Sequence, residues 1–179
     1  MALFDLSPAV AAERLVLFLN SHGVGFSPID LLRVPGAADC AALGYPGVQF
    51  PQGKPLAQAL RFRTVLIRQV HGDAGSEIAE INEIAGELPW VYLFGIDGVA
   101  TPVPVKEGLA SLALLDLAVV SRAGQWDRIK VCANHACGAL FYDNTKAKTR
   151  RWHSFQTCGN KANVAAHRQR LVGHGSHAK

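Results

Sequence analysis

Apolar and polar positions alternate with a helical rhythm over much of the first 125 residues. Ala11–Asn20 (AAERLVLFLN) is an apolar run closed by Asn20-Ser21-His22-Gly23. It suits a short helix or a buried strand, and periodicity alone does not separate the two. In Pro55–Val70 the residues Leu56, Leu60, Ile67 and Val70 share one face, and Pro55 suits a first helical turn. Ser76–Leu88 carries a stripe of Ile78, Ile81, Ala85 and Leu88, with Ser76 placed to cap it. Glu107–Arg122 is apolar nearly all round, the pattern of a buried central helix or of one covered by a second subunit. The rhythm changes to that of a β-hairpin over Trp90–Val105. There WVYLF and VATPVPV flank an Ile96-Asp97-Gly98 turn, and Pro102 and Pro104 confine the second strand to an edge. Residues 23–55 are rich in Gly and Pro and predict irregular chain, with one helical turn at Ile29–Leu32.

Two charges break this pattern. On helical wheels Arg63 and Asp116 both fall on apolar faces, and a lone buried charge is costly. The expectation is that they pair with each other, that Arg63 meets an anionic ligand, or that Arg63 snorkels at its helix edge.

With 49% hydrophobic and 18% charged residues, the chain has the composition of a packed globular protein. Its 179 residues suffice for one domain and a small appendage. The longest apolar stretch, Leu109–Val120, is interrupted by Ser111 and Asp116 and is too short to span a bilayer. Met1–Asp5 has no basic segment of the kind that opens an export signal, so the expected location is the cytoplasm, away from membranes. Charge is unevenly spread. Residues 1–127 hold 8 Lys/Arg against 13 Asp/Glu, a net of −5, whereas residues 128–179 hold 10 against the single acid Asp143, a net of +9. Such a block favours polyanionic partners, or else is a solvated basic tail that aids solubility.

In a reducing compartment, clustered cysteines point to a metal sooner than to disulfides. The chain reads Cys132-x4-Cys137, then 15 residues, then His153-x4-Cys158. Two close pairs of soft donors separated by a loop is the layout of a closed structural zinc site. His135 and His167 are alternatives to His153 as the fourth ligand, and Cys40, far away, reads as a core thiol. Four protein ligands leave no position for a reactive water. No nucleophile–base pair and no phosphate loop is present either, so no enzymatic activity is expected.

The stretch from Val131 to Arg170 resembles the CGNR-type zinc finger. The resemblance rests on the cysteine pair, Leu140-Phe141-Tyr142-Asp143, Arg150-Arg151-Trp152-His153-Ser154 and Cys158-Gly159-Asn160-Lys161. Here His153 stands where the family has its third cysteine, and Lys161 where the signature has arginine. The preceding part is similar, more weakly, to the ABATE domain that accompanies this finger. Its carriers are the apolar segment ending at Asn20 and the Leu/Arg-rich helix Pro55–Val70. The resemblance implies a stress-related bacterial transcription regulator whose N-terminal domain binds a small ligand.

The fold expected is α+β. It comprises a mainly helical domain with a β-hairpin over 1–125, a zinc-finger module over 126–173 and a disordered tail over 174–179. Lys146, Lys148, Arg150 and Arg151 form a basic loop between the ligand pairs, and Lys161, Arg168 and Arg170 lie on the following helix. All seven are candidate DNA contacts, to backbone more than to bases. The alternatives are a zinc-stapled module for protein or RNA partners, and a protein that binds or sequesters a small molecule without DNA. The all-apolar Glu107–Arg122 helix leaves room for a homodimer.

Overall fold

A computed structural model describes residues 5–25, 27–34, 36–72 and 77–164. The chain runs through α1 (Pro8–Asn20), α2 (Gly53–His71) and α3 (Glu77–Gly86) into an antiparallel ribbon, β1 (Trp90–Phe94) and β2 (Ala100–Pro104). It continues through α4 (Leu109–Arg122) and a 3-10 turn at Trp126–Arg128. A second antiparallel pair, β3 (Ile129–Val131) and β4 (Leu140–Tyr142), and a π-helical turn at Phe155–Gly159 complete it. The class is the α+β one that the pattern predicts. Ser76, His167, Arg168, Arg170 and the tail 174–179 lie outside the described residues.

The ambiguous first segment is a helix. Pro8 begins it, and extension toward the N-terminus gives 13 residues, longer than a buried strand of this kind. Ala11, Ala12, Leu15, Phe18 and Leu19 are its buried apolar residues. They pack against α4, where every residue from Leu109 to Asp116 is buried. Phe62, Val65 and Leu66 of α2 close the same core, with the Phe18 and Phe62 rings 6.3 Å apart. Outside it, Arg61 of α2 meets Glu80, Glu83 and Glu87 at 3.3, 2.5 and 3.3 Å, and Arg68 meets Glu80. These pairs lie partly open to solvent at the surface and are of small individual worth. Among the described residues no helix is long and apolar enough to cross a membrane.

The two core charges are both buried, as the wheels require, but they do not pair with each other. Arg63 donates through Nη1 and Nη2 to the Asp30 carboxylate at 2.9 and 2.6 Å, and through Nη1 to the Ser21 hydroxyl at 2.9 Å. Asp116 instead accepts from Arg14 Nε and Nη2 at 3.0 and 2.5 Å and from the Tyr45 hydroxyl at 2.9 Å. This corrects the expectation of an Arg63–Asp116 pair. It also replaces the anionic ligand expected on Arg63 with a carboxylate of the chain itself. Both acceptor networks draw on the irregular stretch 23–55, so the two charges anchor that stretch to the helices.

The second strand pair is built into this core. Ile129 and Leu140 are buried in the principal apolar cluster, beside α1 and α2. Asn20, the last residue of α1, reads Leu140 as a neighbouring strand would. Its Nδ2 donates to the Leu140 carbonyl at 2.9 Å, and its Oδ1 accepts the Leu140 N–H at 2.8 Å. Replacing Asn20 by Ala strands a donor and an acceptor on a buried residue. We expect Asn20→Ala to lower unfolding stability by about 1–3 kcal/mol, read by denaturant titration. A change within error would show that water replaces both bonds.

Candidate metal centre

β3 delivers Cys132 at its end, where the Cys132 N–H donates to the Ala139 carbonyl at 2.8 Å and keeps the strands paired. The chain turns through Asn134 and returns to Cys137, whose N–H donates to the Asn134 carbonyl at 2.8 Å. Gly138, at φ 65, takes the left-handed conformation that lets β4 start directly after this ligand. The second pair is set by local hydrogen bonding as well. Ser154 accepts from the Thr157 N–H through its hydroxyl at 3.3 Å and from the Cys158 N–H through its carbonyl at 3.0 Å. The Ala133 N–H, donating to the Arg151 carbonyl at 2.8 Å, ties the two halves together.

The result is one cluster. The ligand atoms of Cys132, Cys137, His153 and Cys158 all lie within 4.8 Å of one another, and the three cysteines are buried and not disulfide-bonded. His153 Nδ1 is 3.3 Å from Cys137 Sγ and 3.6 Å from Cys158 Sγ. Those separations are the edges of a tetrahedron with bonds of about 2.0–2.3 Å, the dimensions of zinc on nitrogen and sulfur. The donor set fits a structural zinc ion, with His153 as the fourth ligand. His135 is exposed and stays outside the cluster.

Protonation follows from the surroundings. Burial pushes the Cys137 thiol up to about 11. Burial also opposes ionisation of Cys158, but the Asn134 amide, donating to its sulfur at 3.3 Å, and the neighbouring thiols outweigh it and bring this group below its ordinary value. Burial, with the charge of Arg150, lowers the pKa of His153 and favours the neutral imidazole that binds a cation. Metal uptake therefore releases thiol protons and weakens as pH falls.

Two supports hold this cluster, the first of them, at Val24 and Gly25, unsignalled by the sequence pattern. Val24 packs among the cysteines, and the Gly25 N–H donates to the Cys137 carbonyl at 2.7 Å. A Cβ on Gly25 would sit 2.0 Å from the Ala136 carbonyl oxygen. Asp143 is the other support. It is fully buried and accepts from Lys130 Nζ at 2.7 Å, from the Thr145 hydroxyl at 2.6 Å and N–H at 3.0 Å, and from the Arg150 N–H at 2.9 Å. Burial works against its charge, but these donors prevail and hold the carboxyl far below the usual range.

The basic loop divides into two kinds of residue. Arg150 faces inward: it lies over the Phe141 ring, and its guanidinium donates to the Trp152 carbonyl at 3.0 Å and to the His153 carbonyl. Lys148 reaches Asp127 at 2.8 Å. Lys146, Arg151 and Lys161 are exposed, Arg151 over the Trp152 ring at 5.3 Å. Trp152 is half-buried against the cysteine cluster, while Phe155 is exposed and meets it edge-on at 6.2 Å. Beneath Phe155, a Cβ on Gly159 would come within 2.7 Å of the ring, which accounts for glycine after Cys158.

Two substitutions test the centre. Cys158→Ser should abolish stoichiometric zinc, measured by metal analysis of the purified chain. One zinc per chain in that variant would refute the ligand set. Gly25→Ala touches no ligand, yet it must displace the Cys132–Cys137 turn. We expect it to weaken zinc retention about 10-fold, the scale seen when groups supporting a ligand are removed, in a competition titration with a chelator. Retention equal to the parent would mean the turn yields at no cost.

No curated protein matches the chain. The segment that carries the four ligands, residues 128–171, matches the family model of the CGNR zinc finger.

Proposed function

We propose that the chain is a zinc-dependent, DNA-binding transcription regulator whose N-terminal domain responds to a small ligand. The observation that carries this reading is electrostatic: a net charge of +9 over residues 128–179 beside −5 over residues 1–127. The zinc cluster and Asp143 give the start of that basic segment a fixed shape, and Lys146, Arg151 and Lys161 project from it. Phosphate neutralisation by such side chains releases counterions, which is the main term in duplex binding. In this role the ion shapes the surface and takes no part in a reaction. The ABATE-like resemblance of the N-terminal part supports ligand sensing as the domain's share of the work. A concavity of about 690 Å³ between the β1–β2 ribbon and α4 is the seat we assign to the ligand. Trp90, Tyr92, Pro102, Leu114, Ala118 and Arg122 are among the residues that line it. We prefer this site to Arg63, whose Nη1 and Nη2 already donate to Asp30 and Ser21.

The test is duplex binding as a function of salt. Zinc-loaded protein should bind, and chelation should abolish binding. Changing Lys146, Arg151 and Lys161 together to Gln should flatten the slope of log affinity against log salt by about 0.9 for each phosphate no longer neutralised. Arg150→Ala should instead lower zinc retention and stability, because that side chain holds the carbonyls beside His153. Binding to single-stranded RNA or to protein with no duplex affinity would overturn the DNA reading.

A further inference from the structure

The β1–β2 ribbon carries more apolar surface than a two-stranded element in water should. Val91, Leu93, Phe94, Val99 and Val105 are 44, 52, 75, 57 and 60% exposed, and the single charge between Trp90 and Val105 is Asp97 in the turn. Isolated ribbons of this size are at best marginally stable. β2 is the strand that lies against α4, and β1 is outboard.

The hydrogen-bond phase of the ribbon sets its edges apart. Gly95 N–H donates to Val99 O at 3.0 Å and Val105 N–H to Pro89 O at 3.0 Å, and the register pairs Leu93 with Thr101 and Val91 with Val103. In an antiparallel pair these odd-numbered residues of both strands point their backbone groups inward, and the even-numbered ones point theirs outward. The outer edge of β2 is therefore Ala100, Pro102 and Pro104, two of which have no N–H to offer. The outer edge of β1 is Trp90, Tyr92 and Phe94, each with a donor and an acceptor. One edge is closed by proline and the other is open.

We propose that β1 is a dimerisation strand, pairing antiparallel with β1 of a second copy about a two-fold axis at Tyr92. The register follows from the phase. Tyr92 faces the partner copy's own Tyr92, and Trp90 faces Phe94 of the second copy, so all outward N–H and C=O groups find partners. The same step sets aromatic side chains opposite one another on the face toward α4, a favourable cross-strand pairing. The contact is isologous and closes on itself. Pro102 and Pro104 at the outer edge of each β2 then stop the four-stranded sheet from adding further copies. A second copy is the occupant favoured here because this strand is its own complement: neutral, apolar and open on one side only.

Sedimentation equilibrium of the zinc-loaded full chain tests this. The expected result is a reversible species of twice the 19.2 kDa chain mass. Tyr92→Pro removes an outward N–H that the ribbon itself does not use and should shift the protein to monomer. Val91→Lys with Leu93→Lys sets like charges across the two-fold on the solvent face and should do the same, and it decides the matter if the proline variant fails to fold. A wild-type protein that stays monomeric through the micromolar range overturns the proposal. So does a Lys variant that is folded by circular dichroism and still dimeric.

Discussion

The C-terminal segment depends on one constraint, the convergence of three sulfurs and one imidazole nitrogen on a single point. Its strands are three residues each, and the apolar cluster around the ligands consists of Val24, Ala139 and half-buried Trp152 with the cysteines. So little buried surface does not offset backbone ordering, which costs about 1–2 kcal/mol per residue. A structural zinc ion contributes on the order of 10 kcal/mol and makes up that deficit. The segment has a second support as well. Ile129 and Leu140 reach into the helical core, Asn20 pairs with Leu140 and Gly25 with Cys137. The metal organises the outer end of the β3–β4 pair while α1 organises the inner end. Disturbing either end loosens the strands the other relies on.

Within the basic segment, charge and availability are different quantities. Arg128 donates to the carbonyls of Asp143 and Thr145, Lys130 to the Asp143 carboxylate, Arg150 to the carbonyls of Trp152 and His153, and Lys148 to Asp127. These four cations brace the loop between the ligand pairs. Asp143, the one acid among residues 128–179, sits where four donors meet, which is why its burial is tolerable. Lys146, Arg151 and Lys161 are exposed and add field outward. A bidentate arginine in the middle of a basic run is thus a brace, and counting it as a phosphate ligand would overstate the interface.

Much of this was legible in the sequence for physical reasons. Ligand chemistry is carried by residue type and spacing, so Cys132, Cys137 and Cys158 could be read directly, while the fold chose His153 over His135 as the fourth donor. Helices α2 and α4 and the hairpin announced themselves through periodicity and an Asp-Gly turn. What the sequence hid were contacts between regular and irregular chain. Asp30 and Tyr45 lie in a stretch with no repeating face, so nothing marked them as partners of Arg63 and Asp116. Arg14 hid in the opposite way, as one polar letter in an apolar run. Gly25 looks like any loop glycine in the sequence, and only the fold sets the Ala136 carbonyl against it. Arg150 and Arg151 are adjacent and identical, yet one folds inward and the other outward. Only the positions of Phe141 and of the His153 carbonyl distinguish them.

Under the proposed function and the proposed β1 pairing, the two ends of the molecule bear on one another through stoichiometry. A single basic module with a handful of outward cations binds a polyanion weakly and with a shallow salt dependence, because affinity scales with the phosphates neutralised. The proposed pairing through β1 would put two such modules on one particle, and a second module engaging the same duplex would do so at high effective concentration. The concavity lies on the face of the ribbon toward α4, while the pairing edge is the backbone of the same strand, so Trp90 and Tyr92 belong to both. A ligand seated there would act on the side chains whose backbone, on the proposed pairing, holds the partner. On the proposed readings, ligand binding, assembly and affinity for DNA would be linked through one five-residue strand, by differential affinity for the paired and unpaired states.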